Sequence, residues 1–144
     1  MHQKDIDEMR AFNRFYTSLI GLLNTHILNS EYSLSEARIL FELYHNSGMT
    51  ASDIIALIHI DKGYLSRILK HFELKKLIVK KRSSADKRSV YLNLTSKGKK
   101  ELEILSRASD VQITKILSQL TDDECEQLIS NLREVKGALE KVKG

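Results

Sequence analysis

Residues 61–74 read DKGYLSRILKHFEL, and their apolar side chains recur with the period of an amphipathic helix. The side chains at positions i, i+3, i+4 and i+7 are Leu65, Ile68, Leu69 and Phe72. Asp61 stands where a helix N-cap residue accepts a backbone hydrogen bond. The opposite face and its edges carry Lys62, Gly63, Tyr64, Ser66, Arg67 and Lys70. The sequence therefore predicts a helix over 62–76 that buries one face and exposes short polar and basic residues on the other.

The segment after this helix changes to a period of two, which is typical of a half-buried strand. Apolar and polar residues alternate over 89–94, and residues 78–82 can supply an antiparallel partner. The connection, 83–87, contains no glycine, which indicates a loop longer than a tight two-residue turn. Two shorter helices are predicted ahead of this region, over 34–46 and 51–58. This order predicts a winged helix-turn-helix, a mainly α (α+β) fold with a two-stranded β wing.

Three capping boxes support these helix starts and one further start near the C-terminus. They pair Ser33 with Glu36, Thr50 with Asp53, and Thr121 with Glu124. Additional helices are predicted over 5–29, 96–119 and 122–142. We expect a single domain over 1–144, with a DNA-binding core at about 33–95 and dimerisation helices at about 1–30 and 96–144.

The two terminal helices carry apolar surfaces that need partners. The stripe on the first helix is too broad for one neighbour, and the seam on the last helix has the 3, 4 spacing of paired helices. We therefore expect a homodimer built from both termini. The residues expected at its seam are Ile6, Met9, Leu128, Leu132, Val135 and Leu139.

Positive charge is concentrated in one segment. Residues 62–88 hold ten basic and two acidic residues, a net charge of +8, whereas the whole chain has +4. Such an asymmetry is expected of a segment that binds a polyanion. The alternative is a helical protein-interaction module whose basic face is only solvated, although alternating charges would suit that alternative better.

The predicted exposed helix face suits the major groove of double-stranded DNA, because short residues allow close approach and long donors reach base edges. We expect Arg67 to contact guanine, and Lys70 and Lys75 to contact phosphates, which position a protein without reading sequence. The hairpin residues expected to contact DNA are Lys80, Arg82, Ser83, Ser84, Lys87 and Arg88. Arg88 is expected to enter the minor groove, where the negative potential is enhanced.

The hairpin also carries a family motif, which is Asp86-x-Arg88, five residues, Leu94-Thr95, two residues and Gly98. It resembles the wing signature of the multiple-antibiotic-resistance regulator (MarR) family, and residues 61–67 resemble the start of that family's recognition helix. The resemblance covers essentially the whole chain and implies a dimeric bacterial transcriptional regulator. It also implies that Arg88 contacts the minor groove and that Asp86 braces the wing.

The chain departs from the family at the end of the recognition helix, where many members carry glycine and this sequence has Lys76. Glycine is the residue that most easily adopts the left-handed conformation that ends a helix. The resemblance therefore leaves the helix exit and the wing angle open. Dimer symmetry predicts a pseudo-palindromic operator, and occupancy of such a promoter site would exclude polymerase, which favours repression.

Five of the nine aromatic residues fall on the first two predicted helices: Phe12, Phe15, Tyr16, Phe41 and Tyr44. The resemblance implies release of DNA by a small ligand, so these residues are a candidate pocket for a small aromatic effector. Their helical spacing favours plain hydrophobic core instead. Cys125 lies on the apolar seam and is interpreted as a small buried residue, with a redox role as the alternative.

Several classes of function are not expected. No glycine-rich phosphate loop, nucleophile elbow or metal-ligand helix occurs, so the sequence does not predict an enzyme, a cofactor or a metal site. The single cysteine excludes an intramolecular disulfide. No apolar run approaches the roughly 20 residues of a membrane helix, and the first residues lack the layout of a signal peptide. We therefore expect a soluble cytoplasmic protein with no membrane partner.

Overall fold

The computed structural model describes residues 1–86 and 88–143. Within them the elements are α1 (Gln3–Leu19), α2 (Leu34–His45), α3 (Ala51–Ile58), α4 (Lys62–Leu74), β1 (Ile78–Arg82), β2 (Val90–Leu94), α5 (Ser96–Leu117) and α6 (Asp122–Glu140). The predicted fold class, a winged helix-turn-helix with a two-stranded antiparallel wing, is confirmed. The chain divides into two compact units, Met1–Ala108 and the part that begins at Ser109.

The helix starts follow the capping chemistry predicted from the sequence. In each of the three predicted boxes the hydroxyl accepts the backbone N–H of the acidic residue, and the carboxylate accepts the N–H of the cap residue. Asp61 also caps α4, since its Oδ2 accepts the N–H of Tyr64 at 2.8 Å. At the start of α1, Asp5 Oδ2 accepts the backbone N–H of His2 at 2.8 Å, which was not predicted from the sequence.

The core of the first unit forms between α2, α3, α4 and the hairpin. The apolar face predicted for α4 is buried throughout. It packs in one cluster with Ile39 and Leu40 of α2, Ile54 of α3 and Leu92 of β2. Burial of each such side chain contributes about 1.5–3 kcal/mol relative to exposure, so this cluster fixes α4 with its polar face outward.

The hairpin packs one face on that core and shows the other to solvent. Its register pairs Ile78 with Leu94 and Lys80 with Leu92. Leu92 also donates its backbone N–H to the carbonyl of Met49 at 2.8 Å, which joins the hairpin to the segment just before α3. The predicted alternation is confirmed, because Leu92 and Leu94 are buried whereas Tyr91 is exposed.

Thr95 and Gly98 join the base of the wing to the end of α4. Thr95 Oγ1 donates to the carbonyl of Lys76 at 2.6 Å and accepts the N–H of Gly98 at 3.1 Å. A Cβ on Gly98 would overlap the carbonyl oxygen of Leu77, so only glycine fits at this close approach. The Leu94-Thr95-x-x-Gly98 part of the motif is therefore a packing requirement at the start of α5.

The helix predicted over 5–29 is wrong in its extent, because α1 ends at Leu19. Gly21 has φ +73°, its N–H bonds to the carbonyl of Ser18, and the N–H of Leu22 bonds to that of Thr17. These are the two hydrogen bonds of a Schellman motif, which stops a helix at a left-handed glycine. The apolar period continues past this glycine in the sequence, but the α-helix does not, and a short 3₁₀ helix follows at Ile27–Asn29.

Other helix ends differ from the predictions by one or two residues. The structure ends α4 at Leu74 rather than 76, α5 at Leu117 rather than 119, and α6 at Glu140 rather than 142. Helix termini fray and tighten, so differences of this size carry no structural consequence. None of the helices in residues 1–86 and 88–143 is long and apolar enough to cross a membrane.

Candidate nucleic-acid interface

The outer face of α4 is open to solvent along its whole length. Each residue predicted to face DNA on this helix is exposed, namely Lys62, Gly63, Tyr64, Ser66, Arg67 and Lys70. The guanidinium carbon of Arg67 lies 5.8 Å from the centroid of the Tyr64 ring, within the range of a cation–π contact. The contacts of these residues with DNA stay a prediction.

The tip of the wing is ordered by its own side chains. Asp86 Oδ1 accepts the backbone N–H of Arg88 at 2.9 Å, and Asp86 Oδ2 accepts the hydroxyl of Ser89 at 3.1 Å. Ser83 Oγ accepts two further backbone N–H groups, those of Ala85 and Asp86, at 3.2 Å each. This geometry supports the bracing role expected of Asp86, and it engages the Ser83 hydroxyl within the loop.

The predicted wing residues otherwise lie on the surface. Lys80, Arg82, Ser84 and Arg88 are exposed, whereas Lys87 lies outside the described residues. Exposed basic side chains at this position are what contact with a phosphate backbone requires.

A groove of about 490 Å³ brings the two parts of the predicted interface together. It lies between α3, α4 and the hairpin, with Leu65, Leu69 and Leu92 on its floor. Its polar lining is formed by Ser52, Lys62, Ser66, Lys80 and Arg82. The structure therefore places basic residues of the helix and of the wing around one concave surface.

Two lysines of the basic segment are paired with acidic residues. Lys80 Nζ lies 3.6 Å from Glu73 Oε2, and both side chains are about half exposed. Lys75 Nζ lies 2.7 Å from Glu31 Oε1 and 5.2 Å from the centroid of the Tyr32 ring. The hydrogen bond and the charge of Lys75 lower the pKa of Glu31 below its usual value. The phosphate contact predicted for Lys75 has no support in this environment.

Tyr32 connects the end of α4 to α5. Its ring meets Phe72 edge to face at 6.4 Å, and its hydroxyl donates to Glu101 Oε2 at 3.0 Å. Burial raises the pKa of Tyr32, and the hydrogen bond to Glu101 adds to this. The hydroxyl therefore stays protonated, and the contact holds the C-terminal end of α4 in place.

The core interpretation of the five aromatic residues is wrong for this chain, since they are 41–63 % exposed. Phe12 and Tyr16 stack on each other at 5.6 Å along α1. A cavity of about 320 Å³ beside α2 and the first half of α5 is lined by Tyr44, His45, Glu103 and Arg107 among others, but by none of the other four aromatic residues. This cavity therefore does not gather the five residues.

The predicted dimer seam lies on exposed or half-exposed helix faces. No residue of α6, which is described in full, is buried, and Leu132, Val135 and Leu139 are 42–50 % exposed. Ile6 and Leu128 are half-buried, and Met9 is exposed. Apolar side chains in this state at helical spacing are typical of a surface that another helix covers.

Cys125 is half-buried near the start of α6, with Sγ 3.6 Å from the carbonyl of Leu117. This environment agrees with a small packed residue. Among residues 1–86 and 88–143, no three His, Cys, Asp or Glu side chains are grouped so that they could hold a metal ion.

Comparison with known proteins shows what this region of the chain is similar to. A model of the MarR family matches residues 31–89, which cover α2, α3, α4 and the wing. The helix-turn-helix and the wing of this chain are therefore similar to those of the MarR family. The resemblance inferred from the wing motif is thereby confirmed, and the MarR family is one of DNA-binding transcriptional regulators.

Relatives and solved structures extend this similarity over nearly the full length of the chain. MhqR of Bacillus subtilis (strain 168), an HTH-type transcriptional regulator, is 25% identical over 135 residues, 94% of this chain and 93% of MhqR. MgrA of Staphylococcus aureus, also an HTH-type transcriptional regulator, is 29% identical over 136 residues, 93% of this chain and 86% of MgrA. Streptococcus pneumoniae FabT, solved in complex with DNA, shares the fold with a TM-score of 0.78 at 20% identity, covering 98% of this chain and 99% of FabT.

Sequence reasoning missed two features of the MarR-type interface. Ser52, in the first turn of α3, lines the groove, and its position just after the Thr50 cap was the available signal. The contact between Tyr64 and Arg67 was signalled by their i, i+3 spacing, which places side chains together on a helix.

Proposed function

We propose that this chain is a transcriptional repressor that binds a pseudo-palindromic operator as a homodimer, in the cytoplasm of a bacterium. The observation that carries the proposal is the groove in which the exposed basic face of α4 meets the basic residues of the hairpin. FabT, which has the same fold, was solved with DNA, and the relatives are named as regulators rather than enzymes. A protein-interaction module with an incidental basic face would not require this alignment of helix and wing.

Homodimerisation is supported by the helices outside the helix-turn-helix. Neither α1 nor α6, both described in full, contains a buried residue, although each carries apolar side chains at helical spacing. A second copy of the chain would cover these faces. The division into a DNA-binding core at 33–95 and dimerisation helices at 1–30 and 96–144 belongs to the same proposal.

Two-fold symmetry fixes the form of the operator. Two recognition helices of a dimer enter successive major grooves about 34 Å apart, so the half-sites lie about one helical turn apart. Such a site within a promoter excludes polymerase, which makes repression the expected outcome.

Selection from a pool of random DNA duplexes, at two salt concentrations, tests the proposal. We expect recovery of a two-fold symmetric motif and a steep fall of affinity with salt, because each phosphate contact releases counterions. Weak binding that is blind to sequence would overturn the proposal and favour the interaction module.

Two substitutions distinguish a residue that contacts bases from one that contacts the phosphate backbone. Arg67→Ala should cost about 1–3 kcal/mol on the selected motif and much less on random duplexes, because it removes a base contact. Lys80→Ala should weaken binding to all sequences alike and reduce the salt slope by about 1. Lys136→Ala is the matched control, since Lys136 also forms an exposed 3.6 Å ion pair, with Glu140 on α6. Identical behaviour of the first two variants on both kinds of DNA would contradict the assignment.

We also propose that a small aromatic effector releases the protein from DNA. The exposed rings of α2, Phe41 and Tyr44, support it, since they are available to a ligand. A titration of phenol and benzoate against operator affinity and melting temperature tests it. Unchanged affinity and melting temperature with both compounds would remove the effector from the proposal.

A further inference from the structure

Arg67 is folded back along α4 toward the N-terminal end of the helix. Its Nη1 is 3.8 Å from the position that a Cβ would occupy on Gly63, one turn earlier. Long side chains on helices lean toward the N-terminus, and the guanidinium lies beside Gly63, where a Cβ would meet it in ordinary van der Waals contact. The charged group of a second-turn residue is therefore held over the first turn.

The Tyr64 ring supports the guanidinium in this position. The Arg67 Cζ lies 5.8 Å from the ring centroid, and the ring itself is 37 % exposed. The backbone N–H of Tyr64 donates to Asp61 Oδ2 at 2.8 Å, so the residue that carries the ring is fixed by the helix cap. Asp61, Gly63 and Tyr64 together form a seat for Arg67 in the first turn of α4.

The position of the guanidinium over the first turn of α4 is important for base contact. In helix-turn-helix proteins the N-terminal residues of the recognition helix contact base edges. An arginine that is free in solution loses rotamer entropy when it binds, whereas one already held in place loses less. Guanine recognition by arginine also depends on the planar, bidentate orientation of the guanidinium.

We propose that Tyr64 is a positioning residue that pre-orients Arg67 for base contact and thereby sets sequence specificity. This inference rests on the proposed DNA-binding function and deepens it. It changes the role expected of Tyr64 from a separate DNA contact to a support for Arg67.

The test is a double-mutant cycle with Tyr64→Leu and Arg67→Ala, measured on the selected operator and on random duplexes. Tyr64→Leu should weaken operator binding by about two- to five-fold, the size of an exposed cation–π contact. It should cause no further loss in the Arg67→Ala background and leave the salt slope unchanged, because no phosphate contact is removed. Tyr64→Phe, which keeps the ring, should bind like the wild type.

A second measurement tests the contact between the Arg67 side chain and the Tyr64 ring in the absence of DNA. In the free protein the NMR signals of the Arg67 side chain should carry a ring-current shift that Tyr64→Phe preserves and Tyr64→Leu removes. Wild-type signals without such a shift would overturn the inference. The inference would also be overturned if the affinity losses of the two single variants multiplied in the double variant. A Tyr64→Phe variant that binds the operator as weakly as Tyr64→Leu would overturn it too. Failure of the wild type to select any motif would overturn the proposed function as well, so the two failures are distinguishable.

Discussion

Lys76 occupies a backbone conformation that favours glycine, with φ +59° directly after α4. The N–H of Lys76 bonds to the carbonyl of Glu73, and that of Leu77 bonds to the carbonyl of Phe72. These are the hydrogen bonds of a Schellman motif, the same motif that ends α1 at Gly21. The family's usual glycine is therefore replaced here without a change in the motif, and the left-handed conformation expected at this position is present.

Lys76→Gly should consequently stabilise the protein. The left-handed conformation costs a residue with a Cβ about 1–2 kcal/mol, part of which is offset by the greater freedom of glycine in the unfolded chain. We expect the free energy of unfolding to rise by about 0.5–1 kcal/mol in urea denaturation. Lys76→Ala is the matched control, because it removes the lysine side chain but keeps the Cβ. Equal stability of the two variants would contradict this explanation.

Position 98 requires glycine because there is no space for a side chain, whereas position 76 favours glycine because of its backbone conformation. Gly98→Ala would place a methyl group against the carbonyl of Leu77, and neither backbone can move without breaking the Thr95 hydrogen bonds. We expect a loss of about 1–3 kcal/mol in thermal or urea unfolding, as for an overpacked core. Gly137→Ala in α6, where nothing lies within 4 Å, should instead gain about 0.5–1 kcal/mol. A neutral Gly98→Ala would show that the wing base is not packed as described.

At the scale of single elements, the cap of α3 makes a pH-dependent contribution to stability. Hydrogen bonds with the backbone and the hydroxyl of Thr50 lower the pKa of Asp53 below its usual 3.8. A carboxyl group whose pKa is lower in the folded state stabilises above its unfolded pKa, and this is lost as the pH falls through the folded value.

Asp53→Asn isolates this charge, because asparagine keeps an acceptor oxygen but cannot ionise. The variant should melt at a lower temperature than the wild type at neutral pH. The difference should begin to shrink as the pH falls through 3.8 and should close below the lowered pKa of the folded state, where the wild-type carboxyl is neutral too. Melting curves from neutral to acidic pH check this, and a difference that is constant over the range would exclude the charge as its cause.

The elements differ in how far the sequence determined them. Caps and periodicity predicted α2, α3 and α4, because each has a local start signal and an apolar face. The period of two predicted β2, and β1 followed as the segment able to pair with it. The end of α1 was missed because the apolar period was followed past Gly21, although a glycine in that position is itself a stop signal. Periodicity reports which residues are apolar and not where the backbone turns.

The candidate site was predictable to a similar degree. The exposed face of α4 followed from its period, and the wing tip followed from the Asp86 motif. The groove between them and the seat of Arg67 depend on how α3, α4 and the hairpin pack, which spacing does not encode. The five aromatic residues were interpreted as core for a related reason, since a helical period does not reveal whether another element of the same chain covers the face.

At the scale of the whole molecule, apolar surface remains uncovered in both units. The stripe on α1 and the seam on α6 are each exposed or half-exposed in one chain. Exposed apolar faces of this kind mark association surfaces in proteins that stay in solution. Assembly of two copies would then place two wings and two recognition helices in one particle, as the proposed symmetric operator requires.

Charges on the α6 seam should therefore separate the copies. Leu132→Asp with Leu139→Asp places two carboxylates seven residues apart on the apolar face, where burial against a partner would be strongly unfavourable. We expect the mass from light scattering to fall to that of one chain, and operator binding to weaken because each half-site is then bound alone. Ser130→Asp with Gly137→Asp adds the same charges at the same spacing on the opposite face and should leave the dimer intact. A seam variant that keeps the mass of the wild type, while the control behaves as expected, would show that α6 does not form the dimer interface.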